Sequence, residues 1–139
     1  MKRTTTLIAE DEPLASEGLA GWVREIPELE LVGIRADGPG TLQALRTLAP
    51  ELVLMDIHMP GMGGIETVER LRTSNCPSRD TPVIALTADV VSRRPQEYLD
   101  LGFNDFVAKP ILVSGLISAI RRAANCEIPA GQDRISRRA

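Results

Sequence analysis

Three carboxylates, a hydroxyl and a lysine stand directly after short apolar runs in this sequence. Glu10 and Asp11 follow Leu7-Ile8-Ala9, Asp56 follows Leu52-Val53-Leu54-Met55, and Thr87 follows Val83-Ile84-Ala85-Leu86. Lys109, one of only two lysines, follows the stretch from Phe103 to Ala108. Carboxylates gathered at one place raise one another's pKa values and repel unless they share a cation. Clustered hard oxygens suit Mg2+, which takes one or two carboxylates, several waters and a substrate phosphate. In that setting one carboxylate can attack a phosphoryl group and become an acyl phosphate. The magnesium charge would neutralise the incoming oxygens, while the Lys109 ammonium and the Thr87 hydroxyl would hold the transferred group.

That chemistry needs strands that end side by side. The runs at 7–9, 31–34, 52–55, 83–86 and 103–108 read as short buried strands. Helical patterns alternate with them. Pro13 opens a helix with Leu14, Leu19, Trp22, Val23 and Ile26 along one face. Leu42, Leu45 and Leu48 stripe a second helix closed by Pro50, and Ile65, Val68 and Leu71 mark a third. Residues 90–101 read as a fourth helix with Pro95 in its first turn or at a kink. The fifth uses Leu112, Leu116, Ile117, Ile120 and Ala123-Ala124. Five strands alternating with five helices predict an α/β fold: a doubly wound five-stranded parallel sheet with helices on both faces. Ligands of such sheets collect beyond the carboxyl ends of the strands, where all five of these residues would stand.

Composition narrows the function further. A chain of 139 residues with 43% hydrophobic and 25% charged residues suits one globular domain. Aromatics are only 3%, so the core is aliphatic and base stacking is not indicated. Eleven basic against seventeen acidic groups in residues 1–120 argue against direct nucleic-acid binding. Residues 121–139 reverse the balance, five basic against two acidic, with Arg134, Arg137 and Arg138 at the end. We read 1–124 as the domain and 125–139 as a flexible basic tail or linker remnant. Cys76 and Cys126 lie 50 apart without a CxxC, so neither zinc nor a disulfide framework is expected, and two free thiols suit a reducing cytoplasm. No apolar run reaches the ~18 residues of a membrane span, and the N-terminus lacks a signal core.

The segments Glu10-Asp11, Met55-Asp56-Ile57-His58-Met59-Pro60-Gly61-Met62-Gly63-Gly64, Leu86-Thr87-Ala88 and Phe106-Val107-Ala108-Lys109-Pro110, in this order, resemble a response-regulator receiver domain. The resemblance covers residues 5 to about 124 and implies the CheY-like, flavodoxin-like strand order 2-1-3-4-5. It implies that Asp56 accepts a phosphoryl group from a histidine kinase or histidine phosphotransfer protein, with Thr87 and Lys109 assisting. Asp11, Asp56 and the backbone carbonyl of His58 would ligate Mg2+ directly, and Glu10 would act through a metal-bound water. The Ala88 N–H would join Thr87 and Lys109 on the phosphoryl oxygens. The Lys109–Pro110 bond is expected to be cis, which proline makes cheap. Phe106 would be the switch aromatic, moving inward as Thr87 moves toward the phosphate. The responding surface would be the fourth helix, fifth strand and fifth helix, through which a homodimer is also expected. The run Phe103 to Ile111 leans toward the receivers of hybrid sensor kinases, while Met1 favours a stand-alone regulator.

Three departures from the family pattern stand out. Glu10 occupies a position where many receivers have Asp, so a longer arm shifts the geometry. Gly63-Gly64 lacks an acidic residue often found before the second glycine. Phe106 lacks the hydroxyl of a tyrosine, which predicts a shallower switching barrier. Taken singly, Asp56 is equally a turn residue or helix cap; a structural ion pair is the lesser reading of Lys109, and Glu12 reads as a solvated loop charge. His58, the only histidine, and Asp89 read as groups tuning the acyl phosphate lifetime, with a plain N-cap the alternative for Asp89. Two rivals remain at this level. A haloacid-dehalogenase-like phosphatase also uses a strand-end aspartate with Mg2+, but needs a second aspartate where His58 stands. A docking module would keep the fold without phosphorylation.

Overall fold

A computed structural model describes residues 3–89 and 93–124. In chain order the elements are β1 (Thr4–Ala9), α1 (Pro13–Glu25), β2 (Leu29–Arg35), α2 (Gly38–Leu48), β3 (Leu52–Asp56), α3 (Gly64–Arg72), β4 (Val83–Thr87), α4 (Pro95–Leu101), β5 (Asp105–Ala108) and α5 (Val113–Ala124). The strands form one parallel sheet in the order β2-β1-β3-β4-β5, as the resemblance to receiver domains implies. The order reverses between β1 and β3, which makes their carboxyl ends the switch point.

Successive side chains of a strand point to opposite faces, and here both faces are covered. Ile8, Leu52, Leu54, Ile84 and Leu86 pack toward α1 and α5, while Leu7, Ala9, Val53, Met55, Val83 and Ala85 pack toward α2, α3 and α4. Every residue of β3 and β4 is buried. Full burial stabilises each large aliphatic side chain by roughly 1.5–3 kcal/mol, so the strand that carries Asp56 is firmly anchored. Register then sets the site: Ala9 pairs with Met55, Asp56 with Leu86, and Thr87 with Ala108. Glu10, Asp56, Thr87 and Lys109 therefore fall at, or one residue past, the last rungs of the sheet.

Several local expectations need correction. Leu14 is 77% exposed rather than part of the buried face of α1, because the helix turns Ser16, Leu19, Ala20 and Val23 inward. Leu48 is exposed, and α2 buries Thr41, Ala44 and Leu45 instead. Glu12 is exposed as expected, but its side chain also caps α1, accepting from the Ala15 N–H at 2.9 Å. The fourth helix begins only at Pro95, after Arg94 as N-cap, so Asp89 is not its cap; residues 90–92 lie outside the described residues. The fifth strand starts at Asp105 rather than Phe103. Gly102 takes a left-handed φ of 112° to end α4, and the Phe103 N–H closes back onto the Tyr98 carbonyl. Cys126 and the basic tail lie outside the described residues, and Cys76 is buried as a free thiol.

Candidate functional site

At the ends of β1, β3 and β5 the charged groups meet. One carboxylate oxygen from each of Glu10, Asp11 and Asp56 lies within 4.8 Å of the others. The Lys109 ammonium sits 2.9 Å from Glu10 Oε1 and 3.4 Å from Asp56 Oδ2. Two backbone groups hold the carboxylates in place: Glu12 N–H donates to Glu10 Oε2 at 3.2 Å, and His58 N–H donates to Asp56 Oδ1 at 3.1 Å. Glu10 is 2% exposed and Asp56 4%, whereas Asp11 is half-buried. The Glu10 side chain is therefore buried against Lys109 rather than reaching toward solvent.

Burial raises the Glu10 pKa, and the neighbouring Asp56 raises it further, while the Lys109 contact pulls the other way. Burial also works against the Lys109 charge, but the bonds to Glu10 and the field of Asp56 carry its pKa above the ordinary lysine value. The segment after β3 folds back sharply to allow this arrangement. Gly61 adopts a φ of 70°, and Gly64 N–H bonds the Ile57 carbonyl at 2.8 Å. A Cβ on Gly64 would stand 2.5 Å from the Asp56 carbonyl oxygen. Gly64 thus lets α3 start against the backbone that carries Asp56.

Thr87 stands on the neighbouring strand end, buried, with its hydroxyl turned to its own loop. It donates to the Asp89 carbonyl at 3.2 Å and accepts from the Asp89 N–H at 3.0 Å. Ala88 follows it, exposed, and His58 is exposed on the rim beside Asp56. The Thr87 carbonyl accepts from the Lys109 N–H at 2.7 Å, and the Lys109–Pro110 peptide is cis. Phe106 is half-buried and stacks on Tyr98, with ring centroids 4.8 Å apart. Of the sequence-derived residues, the structure thus gathers Glu10, Asp11, Asp56 and Lys109 into one cluster. It leaves Thr87, Asp89 and Phe106 as a second group alongside.

Sequence reasoning overlooked Tyr98. Its ring is fully buried and its hydroxyl donates to the Asp89 carbonyl at 3.0 Å. A signal existed: in a chain with one tyrosine, one tryptophan and two phenylalanines, an aromatic inside Pro-Gln-Glu-Tyr-Leu-Asp-Leu has few polar reasons to be there. Gly64 stands in the sequence as part of the family motif, but its close approach to the Asp56 carbonyl is a contact that only the folded turn creates.

Comparison with known proteins agrees with this arrangement. Residues 6–121 match the response regulator receiver domain family. A protein-glutamate methylesterase/protein-glutamine glutaminase of Desulfotalea psychrophila is 34% identical over 79% of this chain and 30% of its own length. The response regulator GacA of Pseudomonas viridiflava is 31% identical over 83% of the chain and 52% of its own length. The chain thus spans about half or less of the length of these relatives. Among solved structures, the response regulator domain of Thermotoga maritima CheB superposes with a TM-score of 0.79 at 24% identity, covering 91% of this chain and 99% of that one. The receiver domain of the sensor histidine kinase PA1611 from Pseudomonas aeruginosa, with a magnesium ion coordinated in its active-site cleft, gives 0.77 at 24%, covering 88% and 98%. The receiver domain of Saccharomyces cerevisiae Ssk1, crystallised with the histidine phosphotransfer protein Ypd1, gives 0.75 at 20%, covering 89% and 90%. Sheet order, acidic cluster and family match lead to one conclusion: this chain belongs to the response-regulator receiver domains of two-component signalling.

Proposed function

We propose that Asp56 accepts a phosphoryl group from the phosphohistidine of a histidine kinase or phosphotransfer protein, in a magnesium-dependent reaction. The observation that carries this reading is the approach of Lys109 Nζ to 3.4 Å from Asp56 Oδ2 within a cluster of three carboxylates. An Asp56 carboxylate oxygen attacks phosphorus in line; the O–P bond forms, the P–N bond to histidine breaks, and imidazole leaves. Lys109 has three N–H donors, so it can serve Glu10, Asp56 and a phosphoryl oxygen together. The Thr87 hydroxyl and Ala88 N–H are the other donors we assign to the phosphoryl oxygens.

The residues present fit a divalent cation. Three carboxylates exceed the charge of the single ammonium that touches two of them, and all offer hard oxygens. We assign Asp11, Asp56 and the His58 carbonyl as direct ligands and Glu10 as a ligand through water. Bound there, the ion neutralises charge on the carboxylates and the arriving phosphoryl group. His58 stands where a phosphatase of the rival class needs its second aspartate, and the contact it shows with Asp56 is a backbone N–H.

We further place the domain at residues 1–124, with the basic residues after it a tail or a linker remnant, and the protein in the cytoplasm. Among the described residues no helix is long and apolar enough to cross a membrane. The face of α4, β5 and α5, where exposed Leu112 lies beside Phe106, is the surface we assign to signal output and to a homodimer. Incubation with magnesium and acetyl phosphate followed by intact mass measurement tests the core of this reading. A single phosphoryl adduct is expected, lost in Asp56→Asn and without magnesium. An absent adduct would leave a phosphorylation-independent docking module, and multiple turnover of a phosphate ester would favour a phosphatase.

A further inference from the structure

The Thr87 hydroxyl carries one proton, and it is placed to donate that proton to the Asp89 carbonyl at 3.2 Å. A hydroxyl cannot donate to this carbonyl and to a phosphoryl oxygen at the same moment. Thr87 therefore reaches a phosphoryl group on Asp56 only by releasing Asp89. The same carbonyl is held from a second side by the Tyr98 hydroxyl at 3.0 Å. Tyr98 is the only tyrosine of the chain, and it is fully buried within α4. Its ring lies nearly parallel to Phe106, at 16°, and meets Phe103 edge-on with centroids 6.5 Å apart. The phenol is thus fixed by packing against two aromatic rings, one stacked and one edge-on, and Phe106 has no polar atom through which to make this link itself.

We propose that Tyr98 is a positioning residue that keeps Thr87 disengaged by pinning the Asp89 carbonyl, and so opposes phosphoryl capture at Asp56. This rests on the phosphoacceptor reading above and adds to it the group that sets the resting state. The hydroxyl that Phe106 lacks is in effect supplied from α4. Tyr98 links the loop that carries Thr87 to the aromatic pair on the α4–β5 face.

The measurement is beryllofluoride affinity in the presence of magnesium, followed by amide chemical shifts, for the wild type and Tyr98→Phe. The variant keeps the ring and loses only the hydroxyl. It should bind about threefold to tenfold more tightly, the range one neutral hydrogen bond supports. In a Thr87→Ala background the gain should vanish, because there is no threonine proton to release. Affinity unchanged or weakened by Tyr98→Phe would overturn the inference, and so would a gain that persists with Thr87→Ala. A purely structural role would lower the thermal midpoint without tightening the analogue. Independently, the ring carbon bearing the hydroxyl, labelled in the single tyrosine of the wild type, should shift when beryllofluoride binds; an unmoved resonance counts against the proposal. A wild type that takes no beryllofluoride would instead sink the phosphoacceptor reading, and this inference with it.

Discussion

Glu10 concentrates the electrostatic conflict of the site in one side chain. It is buried, it faces Asp56, and only the Lys109 contact favours its charge strongly. Its folded-state pKa is raised, so the fold favours its protonated form. That contribution is fully present below the unfolded value, about 4.3, and is lost as pH rises through the raised folded value. Lys109, also raised, contributes fully below its own unfolded value and loses that contribution only in the alkaline range. Urea unfolding of the wild type and Glu10→Gln across pH 7 to 4 separates the two. The wild type should gain stability relative to the variant as pH falls through the Glu10 titration, and a difference that stays flat with pH would show that burial does not control this carboxyl. Asp56, Asp11 and Lys109 were legible in the sequence because each ends an apolar run, and a strand end is a local feature. The state of Glu10 was not, since its cation stands 99 residues away in the chain. Tyr98 escaped for the same reason: its acceptor and its stacking partner both lie outside its own helix.

At the scale of elements, the strands β3 and β4 announce themselves in the sequence and the fourth helix does not. β3 and β4 are apolar runs buried throughout, each ending at its first polar residue, and the Leu7-Ile8-Ala9 end of β1 is buried in the same way up to Glu10. α4 has only seven residues, too few for a helical period to show, and its exit depends on the left-handed Gly102. Arg72, at the end of α3, donates to the carbonyls of Arg79, Thr81 and Gly102 and to Asn104, which ties that exit to its neighbours. The junction that matters most for chemistry is β3 to α3. An added methyl at Gly64 meets the Asp56 carbonyl and the Ile57 Cα, both backbone atoms that cannot swing aside. Gly64→Ala should therefore cost about 1–3 kcal/mol in urea unfolding, the usual range for overpacking. It should also slow uptake of acetyl phosphate, because relief requires Asp56 itself to shift. Gly115→Ala, where a Cβ meets nothing within 4 Å, is the control and should do neither.

For the whole molecule, the question is how a macromolecular donor reaches a carboxylate that is almost entirely buried. The rim around Asp56 is flanked by a cleft of about 240 Å³ between α1 and the loop that joins β5 to α5, lined by Leu14, Gly18, Trp22, Pro110 and Ile111 and shared with Lys109. Leu14 projects beside it, more exposed than any other large hydrophobic side chain among the described residues. On the proposed function, a protein carrying phosphohistidine docks over this margin to bring phosphorus to Asp56, whereas acetyl phosphate is small enough to enter alone. The two donors therefore make different demands on one surface. Leu14→Asp should slow transfer from a histidine phosphotransfer protein that phosphorylates the wild type by roughly tenfold, the cost of losing one apolar anchor. Uptake from acetyl phosphate should stay within about twofold, since Leu14 has no part in the acidic cluster. Equal slowing with both donors would mean that the substitution had disturbed α1 and the Glu10–Asp11 turn before it. Equal rates with both would place the partner's footprint elsewhere on the rim.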